Sequence, residues 1–300
     1  MKIIDCITYF NEPMLFELRL NILEKYVDEF LVCEAKYTHS GEKKNLNFDI
    51  NKFKNFKNKI NYVAVENEPS NLIKTKNFDE QNNSLFRHNA QQRILHQREA
   101  IFQQVKKNNS NDWIIYSDSD EIPNLEIYDL KECKKKIVLF NQKLFYYKFN
   151  LCLPDYKWFG SKACRVKDLN SITDLRNIKT KKYDWWRIDT LFKKNKFINL
   201  DIVDNGGWHF SEIKSPEEIL EKHQNDEHYD EFRLTNIGLD DVKKMIDNRY
   251  IHYDHKADKK NFSSKWGKEV KVRLSKIGDE ELPKYLIQNK KKYDYWFDNF

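Results

Sequence analysis

Two aspartates placed two residues apart form the strongest chemical pattern in the sequence. Asp118 and Asp120 lie in the segment SDSDEIP, which directly follows the apolar run WIIY at residues 113–116. Residues two apart in an extended chain point to the same side, so both carboxylates leave the end of the strand together. Carboxylate oxygens are the ligands that Mg²⁺ and Mn²⁺ prefer, and such a cation can neutralise phosphate charge. The pattern therefore predicts a Mn²⁺ or Mg²⁺ site, with a charged turn after a strand as the alternative.

The second pattern, NGGWHFS at residues 205–211, combines paired glycines with a histidine. The chain has only 7 glycines, and two adjacent ones permit unusual backbone conformations and a close approach to a ligand. His209 is a candidate third metal ligand, although a lone histidine is more often a structural residue. Ser215, Pro216 and Glu218 then predict the start of a helix, with Ser215 as the cap and Glu218 completing a capping box.

Strand and helix patterns alternate in the first half of the chain and would position these residues. Short apolar, β-branched runs predict four strands, at residues 2–10, 30–35, 62–65 and 113–116. Helical patterns follow Pro13 and cover residues 83–107. Repeated strand–helix–strand units form parallel sheets whose ligand sites lie at the carboxyl ends of the strands. We therefore predict that the aspartates lie at the functional edge of a parallel sheet.

The second half is predicted to be less regular. Residues 137–153 are strand-like and aromatic, which predicts a pair of antiparallel strands, and residues 197–203 predict a further strand. From Ser215 onward the pattern is mainly helical. No internal repeat or low-complexity linker is present, so we expect one domain. Its fold class is α/β, with a mixed, mainly parallel, Rossmann-like sheet flanked by helices and a helical C-terminal part.

Composition excludes a disordered chain and sets broad limits on partners. The 300 residues are 40% hydrophobic and 14% aromatic, well above the level of disordered chains. A net charge of +6, from 53 basic and 47 acidic residues, suits anionic ligands such as nucleotide diphosphates, and also a mildly basic enzyme of any kind. The lysine runs at residues 134–136 and 290–292 are short and scattered. They favour solvated faces over a nucleic-acid-binding stripe, and no nucleic-acid partner is expected.

The cysteines indicate a reducing compartment, and the N-terminus bears on targeting. Five cysteines without CxxC spacing indicate neither a zinc site nor a disulfide framework. The N-terminus begins with a strand pattern instead of a signal peptide, and no run approaches the length of a membrane span. The sequence therefore predicts a soluble, cytoplasmic protein.

Several motifs in the same order resemble glycosyltransferase family 17, whose members add the bisecting N-acetylglucosamine of N-glycans. The resemblance covers nearly the whole chain. It rests on SDSDEIP, on GGWHFS with the Pro-Glu helix after it, on FNEPMLFELRLNILEKYVDEFLVCEA near the start, on THSG before Lys43, and on PKYLIQNKKKYDYWFDNF at the end. It implies a single GT-A domain, with residues 1–123 as the nucleotide-sugar-binding half and residues 124–300 as the acceptor-binding half.

The same resemblance implies a reaction. Members transfer a sugar from a UDP-sugar, here UDP-N-acetylglucosamine, to a glycan acceptor, with a divalent cation and with inversion at the anomeric carbon. The sequence departs from eukaryotic members at Phe210, Ser211 and Glu212, and we do not expect it to carry the membrane anchor of animal members. We therefore expect a bacterial or viral surface glycan as the acceptor instead of a bisected N-glycan.

Carried over to this sequence, the resemblance assigns the donor site. Asp118 and Asp120 match the metal-binding pair, Asp118 also touching the nucleotide-sugar, and His209 matches the candidate third ligand. Glu34, at the end of the second strand, lies where GT-A enzymes often hold the base or the ribose, and it can accept hydrogen bonds from either. The alternative for Glu34 is a strand-end acid that faces water.

Three basic residues are candidates for binding the donor phosphates. Arg98, on the helix before the aspartates, can pair with phosphate or brace Asp118, or form a surface ion pair with Glu99. Arg19 and Lys43 are weaker phosphate candidates.

The acceptor side is assigned less directly. Trp158, Trp185 and Trp186 are candidates for a sugar-stacking platform, with core packing as the alternative. Because an inverting transferase needs a base for the acceptor hydroxyl, three carboxylates are considered: Asp189, Asp155 and Glu212. Asp189 is preferred because it follows the tryptophan pair, with a salt bridge to Arg187 or to a nearby lysine as the alternative.

Other classes of protein remain alternatives. A metal-dependent nucleotidyltransferase also uses paired aspartates, but it needs a glycine-rich phosphate loop, and the sequence has none. A glycoside hydrolase needs two carboxylates and no nucleotide. A non-catalytic glycan-binding protein keeps the aromatic residues without needing the metal pair.

Overall fold

The computed structural model describes residues 1–75, 83–183, 193, 195–257 and 265–299, and all structural statements concern these residues. Its strands are β1 (Ile3–Tyr9), β2 (Glu29–Ala35), β3 (Ile60–Val65), β4 (Trp113–Asp118), β5 (Glu121–Pro123), β6 (Ile137–Phe140), β7 (Lys143–Tyr146), β8 (Leu151–Cys152), β9 (Lys162–Arg165), β10 (Leu200–Val203), β11 (Gly207–Ser211), β12 (Tyr250–Ile251), β13 (Val272–Arg273) and β14 (Ser275–Lys276).

Seven α-helices accompany these strands in the described ranges. They are α1 (Pro13–Leu23), α2 (Asn83–Val105), α3 (Ile172–Arg176), α4 (Pro216–Asn225), α5 (Tyr229–Thr235), α6 (Leu239–Asp247) and α7 (Lys284–Gln288). Four 3₁₀ segments complete the described helical structure, at Ile50–Lys59, Val166–Asp168, Asp279–Glu281 and Lys290–Trp296. Helix α4 begins with the predicted capping box of Ser215 and Glu218.

The larger sheet has seven strands in the order β10-β6-β9-β4-β1-β2-β3. Strand β1 is parallel to β2 and β4, and β2 is parallel to β3. Strand β9 is antiparallel to both β4 and β6, whereas β10 is parallel to β6. Six of these seven strands therefore run in one direction. The predicted α/β fold with a mixed, mainly parallel, Rossmann-like sheet is confirmed.

Apolar side chains along β1 alternate between the two faces of this sheet, and each face is covered by a hydrophobic core. Ile3 and Ile7 pack into one hydrophobic core together with the buried side of α1. Ile4 and Cys6 point the other way, into a second core that contains Ile101 of α2. Side chains that alternate along a strand face opposite sides of a sheet, so a strand with apolar residues on both sides needs helices on both.

A second sheet of five strands, in the order β14-β8-β7-β11-β5, corrects one prediction. Residues 137–153 were expected to form one antiparallel pair. The antiparallel pair is present as β7 and β8, but β6 joins the larger sheet, and β7 also pairs with β11 in the second sheet. An aromatic run with strand propensity does not specify its partners, because pairing depends on distant residues. The larger sheet also takes β6, β9 and β10 from beyond residue 123.

The paired glycines serve backbone packing instead of approach to a ligand. Gly207 begins β11 with φ 138°, and a Cβ there would lie 2.1 Å from the carbonyl oxygen of Ile122 in β5. A Cβ at Gly206 would lie 2.6 Å from the carbonyl oxygen of Val203. Only glycine allows the two backbones to come so close, so this pair joins β11 to the strand that follows the aspartates.

The cysteines are buried and free. Cys6, Cys33, Cys133, Cys152 and Cys164 form no disulfide. Burial raises the pKa of the Cys33 thiol to about 12 and that of Cys152 to about 11. None of the described helices combines the length and the apolar composition that a membrane crossing requires.

Candidate active site

A pocket of about 370 Å³ opens at the carboxyl edge of strands β1, β2 and β4. Its walls also include one face of α2, the end of α3, part of β11 and the last turn of α4. The charged and aromatic side chains that line it are Tyr9, Phe10, Glu12, Tyr37, His39, Lys44, Arg98, Tyr116, Asp118, Asp120, Tyr146, Trp158, Arg176, His209, Glu212, Lys222, Asp226, Glu227, His228 and His255. The pocket therefore lies at the edge of the sheet that the sequence predicts.

Both aspartates line this pocket, and each is paired with a cation of the protein. Asp118 ends β4, and its carboxylate accepts a 2.6 Å hydrogen bond from Nη2 of Arg176. One oxygen of Asp120 lies 3.2 Å from Nζ of Lys222, and the other lies 3.4 Å from Nε2 of His209. Burial alone would raise the pKa of Asp120, but Lys222 and His209 hold it well below its usual range. Asp120 is therefore ionised at neutral pH.

Glu121, to which no role was assigned from the sequence, holds this arrangement together. Its buried carboxylate accepts hydrogen bonds from Nη1 of Arg176 at 2.7 Å, Nε1 of Trp158 at 2.7 Å and the backbone N–H of Asp118 at 2.9 Å. Burial would raise the pKa of Glu121, but Arg176 lowers it to about 2. A Cβ at Gly160 would lie 2.2 Å from this carboxyl group, so glycine leaves the space that Glu121 fills.

Arg98 faces the pocket from α2. Its Nε donates to the hydroxyl of Tyr116 at 3.2 Å, and its guanidinium lies over the Tyr116 ring at 5.6 Å from the centroid. The described structure shows these contacts in place of the surface ion pair with Glu99. Arg98 is therefore positioned for an anionic ligand of the pocket.

His209 and Trp158 form the wall next to Asp120. Their ring centroids are 4.8 Å apart, with an angle of 37° between the planes. Nδ1 of His209 is buried and has no hydrogen-bond partner among the described residues. Buried nitrogen atoms without a partner are uncommon and frequently mark a place for a bound ion or water. The other two members of the predicted aromatic platform, Trp185 and Trp186, lie outside the described residues.

The donor set fits a divalent cation that is shared with a substrate. Among the described residues, no three His, Cys, Asp or Glu side chains converge to form a metal cage. Magnesium sites that serve phosphate substrates usually take one or two carboxylates from the protein and the remaining ligands from phosphate and water. Asp118 and Asp120 supply two carboxylates at the pocket, and His209 is the adjacent nitrogen donor.

Glu212 is the one candidate base that the described structure places in the pocket. It follows β11 with φ 57°, a left-handed conformation that is strained for a residue other than glycine. Its Oε1 lies 3.2 Å from Nε2 of His223. Asp155 is exposed and is not among the residues that line the pocket, which argues against the role predicted for it. Asp189 lies outside the described residues.

We expect the ion pair of Glu212 and His223 to make stability dependent on pH. Burial alone would lower the pKa of His223, but Glu212 and Asp226 raise it to about 9. Because this value exceeds the unfolded value of about 6.5, the contribution is complete below pH ~6.5 and is lost as the pH passes about 9. The shift corresponds to roughly 3 kcal/mol. Urea unfolding of His223→Gln and of the parent chain should therefore differ at pH 6.5 and converge at pH 9.5.

A control variant and a contradicting outcome make this pH test specific. His96→Gln, on α2 outside the pocket, is the matched control and should leave the pH profile of the parent chain unchanged. A His223→Gln variant that differs from the parent by the same amount at both pH values would contradict the ion pair as the cause.

Glu34 positions a loop instead of facing the pocket, contrary to its predicted role. Its carboxylate is fully buried and accepts from the backbone N–H groups of Asn47 at 2.7 Å and Phe48 at 3.0 Å. It also pairs with Nζ of Lys44. Lys43, the predicted phosphate ligand, is exposed and outside the pocket lining, whereas its neighbour Lys44 is part of that lining. The one-residue shift arises because alternate residues of an extended segment face opposite sides.

Arg19 stabilises the site from the protein interior and is not available to a phosphate. Its guanidinium is fully buried and makes two 2.6 Å hydrogen bonds to the carboxylate of Asp5. Its Nη1 also donates to the carbonyl oxygen of Glu121 at 2.5 Å. The predicted phosphate role is therefore corrected to a structural one, since the side chain has no exposed surface.

Arg19→Met should destabilise the fold strongly because it leaves Asp5 buried and unpaired. Breaking a buried ion pair in this way costs about 3–5 kcal/mol, which urea unfolding would detect. The control is Lys292→Met, since the pair of Lys292 with Glu17 is largely exposed and should contribute no more than about 1 kcal/mol. A stable Arg19→Met variant with weakened nucleotide binding would restore the phosphate role.

Arg176 and Lys222 line the pocket but carry no signal in the sequence. Their aspartate partners lie 58 and 102 residues away along the chain, and the chain contains 53 basic residues. Glu121 does carry a signal in the sequence, because it is the third acid of SDSDE and directly follows Asp120.

Comparison with known protein families identifies the family of this chain. A model of glycosyltransferase family 17 matches residues 1–298. No curated protein matches the chain. Among solved structures, HddC from Yersinia pseudotuberculosis is 11% identical, with 68% of this chain and 90% of that chain covered and a TM-score of 0.33. Mannose-6-phosphate isomerase from Helicobacter pylori is 13% identical, with 56% and 72% covered and a TM-score of 0.31. Likeness at this level gives no information on activity.

Proposed function

This chain belongs to glycosyltransferase family 17 and therefore transfers a glycosyl group, and we propose that the group is N-acetylglucosamine from UDP-N-acetylglucosamine. The proposed acceptor is a glycan, and the proposed reaction inverts the anomeric centre with the help of Mn²⁺ or Mg²⁺. Both the donor and the metal dependence extend beyond what family membership establishes.

One observation carries this proposal: the paired aspartates share a single pocket, at the carboxyl edge of the sheet, with basic side chains from three surrounding helices. Asp118 and Asp120 lie there together with Arg98, Arg176 and Lys222. A diphosphate leaving group gains negative charge as the sugar departs, and preorganised cations stabilise that charge. This combination suits a nucleoside diphosphate-sugar better than a neutral substrate.

In the proposed mechanism, the protein orients the donor and removes one proton. Asp118 and Asp120, with His209 beside them, would hold the divalent cation, which when bound neutralises charge on the departing diphosphate. The acceptor oxygen attacks the anomeric carbon as its bond to the diphosphate breaks. Glu212 accepts the proton of the acceptor hydroxyl, since a carboxylate within the same pocket is the base that an inverting transfer needs.

The acceptor is proposed to lie against Tyr146, Trp158 and His255, the aromatic side chains that line the pocket near His209. The ring centroids of Tyr156 and His255 are 4.8 Å apart, and the hydroxyl of Tyr146 lies 2.7 Å from Nε2 of His255. Burial lowers the pKa of His255 to about 4, so this ring is uncharged at neutral pH. Uncharged aromatic rings with hydroxyl groups beside them suit the apolar faces of a neutral sugar.

Thermal unfolding with UDP, in the presence and absence of Mn²⁺, is the first test. A ligand at 100 times its dissociation constant adds about 2.7 kcal/mol to the free energy of unfolding, which corresponds to a rise of about 5 °C in Tm. We expect this rise with UDP and Mn²⁺ together. Release of UDP from UDP-N-acetylglucosamine in the presence of a glycan mixture, followed by NMR of the anomeric proton, then tests transfer and inversion.

A nucleotidyltransferase gives the opposite result. It would release pyrophosphate from UTP and N-acetylglucosamine 1-phosphate, and it would release no UDP from the nucleotide-sugar. That outcome would contradict the proposed function.

A further inference from the structure

Lys222 is the cation of the pocket with the fewest fixed contacts. Its ammonium lies 3.2 Å from one oxygen of Asp120, and it has no other hydrogen-bond partner among the described residues. The guanidinium of Arg176, in contrast, donates to Glu121 twice, to the carbonyl oxygen of Gly160 and to Asp118. A lysine on a flexible four-carbon stem that is held at one point can move, whereas an arginine fixed by four hydrogen bonds cannot.

The backbone of Lys222 keeps the ammonium inside the pocket whichever partner it has. Helix α4 is anchored at its start by the capping box of Ser215 and Glu218, and its Ile219 is fully buried. Lys222 lies in the last turn of this helix, and 27% of its side chain is exposed. The ammonium can therefore swing away from Asp120 without leaving the pocket.

Asp120 cannot hold Lys222 and a divalent cation at once. The two positive charges would lie within a few ångströms of each other and repel strongly in a partly buried site. A cation that binds Asp120 must therefore displace the ammonium. Once displaced, the ammonium stays in the pocket near Glu212, Glu12 and Asp226. These acids already pair with His223 or Lys214, so the ammonium needs a new anionic partner.

We propose that Lys222 is a ligand of the donor's diphosphate, and that its ammonium is held on Asp120 until the donor and the cation arrive together. The inference rests on the proposed UDP-sugar donor. The diphosphate supplies the anionic partner that the displaced ammonium requires, and the cation replaces the ammonium as the counterion of Asp120.

This exchange makes the binding of cation and nucleotide cooperative. The cation alone must break the pair of Lys222 and Asp120 without compensation, and the nucleotide alone must do the same. Together they satisfy both groups. Thermodynamic reciprocity requires that each ligand strengthens the other by the same factor, for which about 10–100-fold is a usual range.

The test measures Mn²⁺ binding without any sugar transfer. Titration of Mn²⁺ followed by electron paramagnetic resonance gives its affinity with and without UDP, and calorimetry gives the affinity of UDP at saturating Mn²⁺. In Lys222→Met we expect Mn²⁺ alone to bind about 10-fold more tightly, because no ammonium competes for Asp120. UDP at saturating Mn²⁺ should bind about 10-fold more weakly.

Two control variants define the effect. Lys222→Arg keeps the charge and should retain both parent affinities within about 3-fold. Lys265→Met removes a lysine of similar burial that pairs with Glu231 outside the pocket lining, and it should change neither affinity. A Lys222 that served only as the counterion of Asp120 would leave the affinity for UDP at saturating Mn²⁺ unchanged when it is removed.

Several outcomes would overturn the inference. One is a folded Lys222→Met variant whose affinity for Mn²⁺ alone is unchanged or reduced. If that variant does not fold, the same affinities measured on the parent chain test the inference. Mn²⁺ and UDP affinities that do not depend on each other overturn the exchange. Strong mutual dependence that Lys222→Arg preserves supports it.

Failure of the inference is distinguishable from failure of the proposed function. A parent chain that releases UDP from UDP-N-acetylglucosamine with Mn²⁺, while Lys222→Met leaves Mn²⁺ binding unchanged, refutes only the role of Lys222. A parent chain that neither binds UDP with any divalent cation nor releases it from the nucleotide-sugar refutes both.

Discussion

Asp120→Asn is expected to lower the rate of sugar transfer by about 10³-fold or more. An amide cannot balance the charge of a divalent cation, and the lost stabilisation of the departing diphosphate amounts to several kcal/mol, with about tenfold in rate for each 1.4 kcal/mol. Asp120 lies beyond the end of β4, and its loss should leave the sheet intact. The measurement is the rate of UDP release at saturating donor, combined with calorimetry of UDP in the presence of Mn²⁺.

The matched control for this variant is Asp129→Asn, which replaces a carboxylate outside the pocket lining and should retain full activity. An Asp120→Asn variant with parent-like Tm, Mn²⁺-dependent UDP binding and turnover would remove the metal assignment. If only stability is lost, the aspartate serves the ion pairs with Lys222 and His209 and has no direct part in catalysis.

Glu212→Gln should reduce kcat by about 10²–10⁴-fold while the affinity for UDP changes little. The amide keeps the shape of the side chain but cannot accept the proton of the acceptor hydroxyl, and general base catalysis contributes about this factor. Single-turnover rates with a glycan acceptor are compared with those of the parent chain, and UDP binding is measured in parallel. Because Glu212 also pairs with His223, the Tm of the variant is determined as well.

Variants of Asp155 and Asp189, the other two predicted bases, provide the comparison with Glu212→Gln. Asp155→Asn should have no effect, since Asp155 is exposed and outside the pocket lining. Asp189→Asn tests the residue first chosen from the sequence. If that variant loses most of its turnover while Glu212→Gln keeps it, the base is Asp189.

The sequence specifies the parallel half of the fold because that half is built from local units. The runs at residues 2–10, 30–35, 62–65 and 113–116 each became a strand of the larger sheet, and the helical pattern at residues 83–107 became α2. Apolar strands buried on both faces are recognisable from composition alone. Within residues 137–153 the antiparallel pair of β7 and β8 was predictable. The placement of β6 in the other sheet was not, because it depends on β9 and β10.

The site was predictable where its residues are adjacent in sequence and was not where they meet only in the fold. Asp118 and Asp120 were located by the strand before them. Arg176 and Lys222 reach them from α3 and α4, and no local pattern distinguishes either residue. Glu34 and Arg19 were placed at the correct edge but given the wrong partner, since a sequence cannot show that Lys44 or Asp5 neutralises them.

The burial of all five cysteines makes the chain a convenient background for site-specific labelling. Thiol reagents must reach the thiolate, and all five native thiols are buried; burial also raises the pKa of Cys33 and Cys152. A single cysteine introduced at the exposed position of Lys43 should therefore carry a fluorophore without removal of the native thiols. Because Lys43 adjoins Lys44 in the pocket wall, such a probe would report binding of the proposed nucleotide in real time.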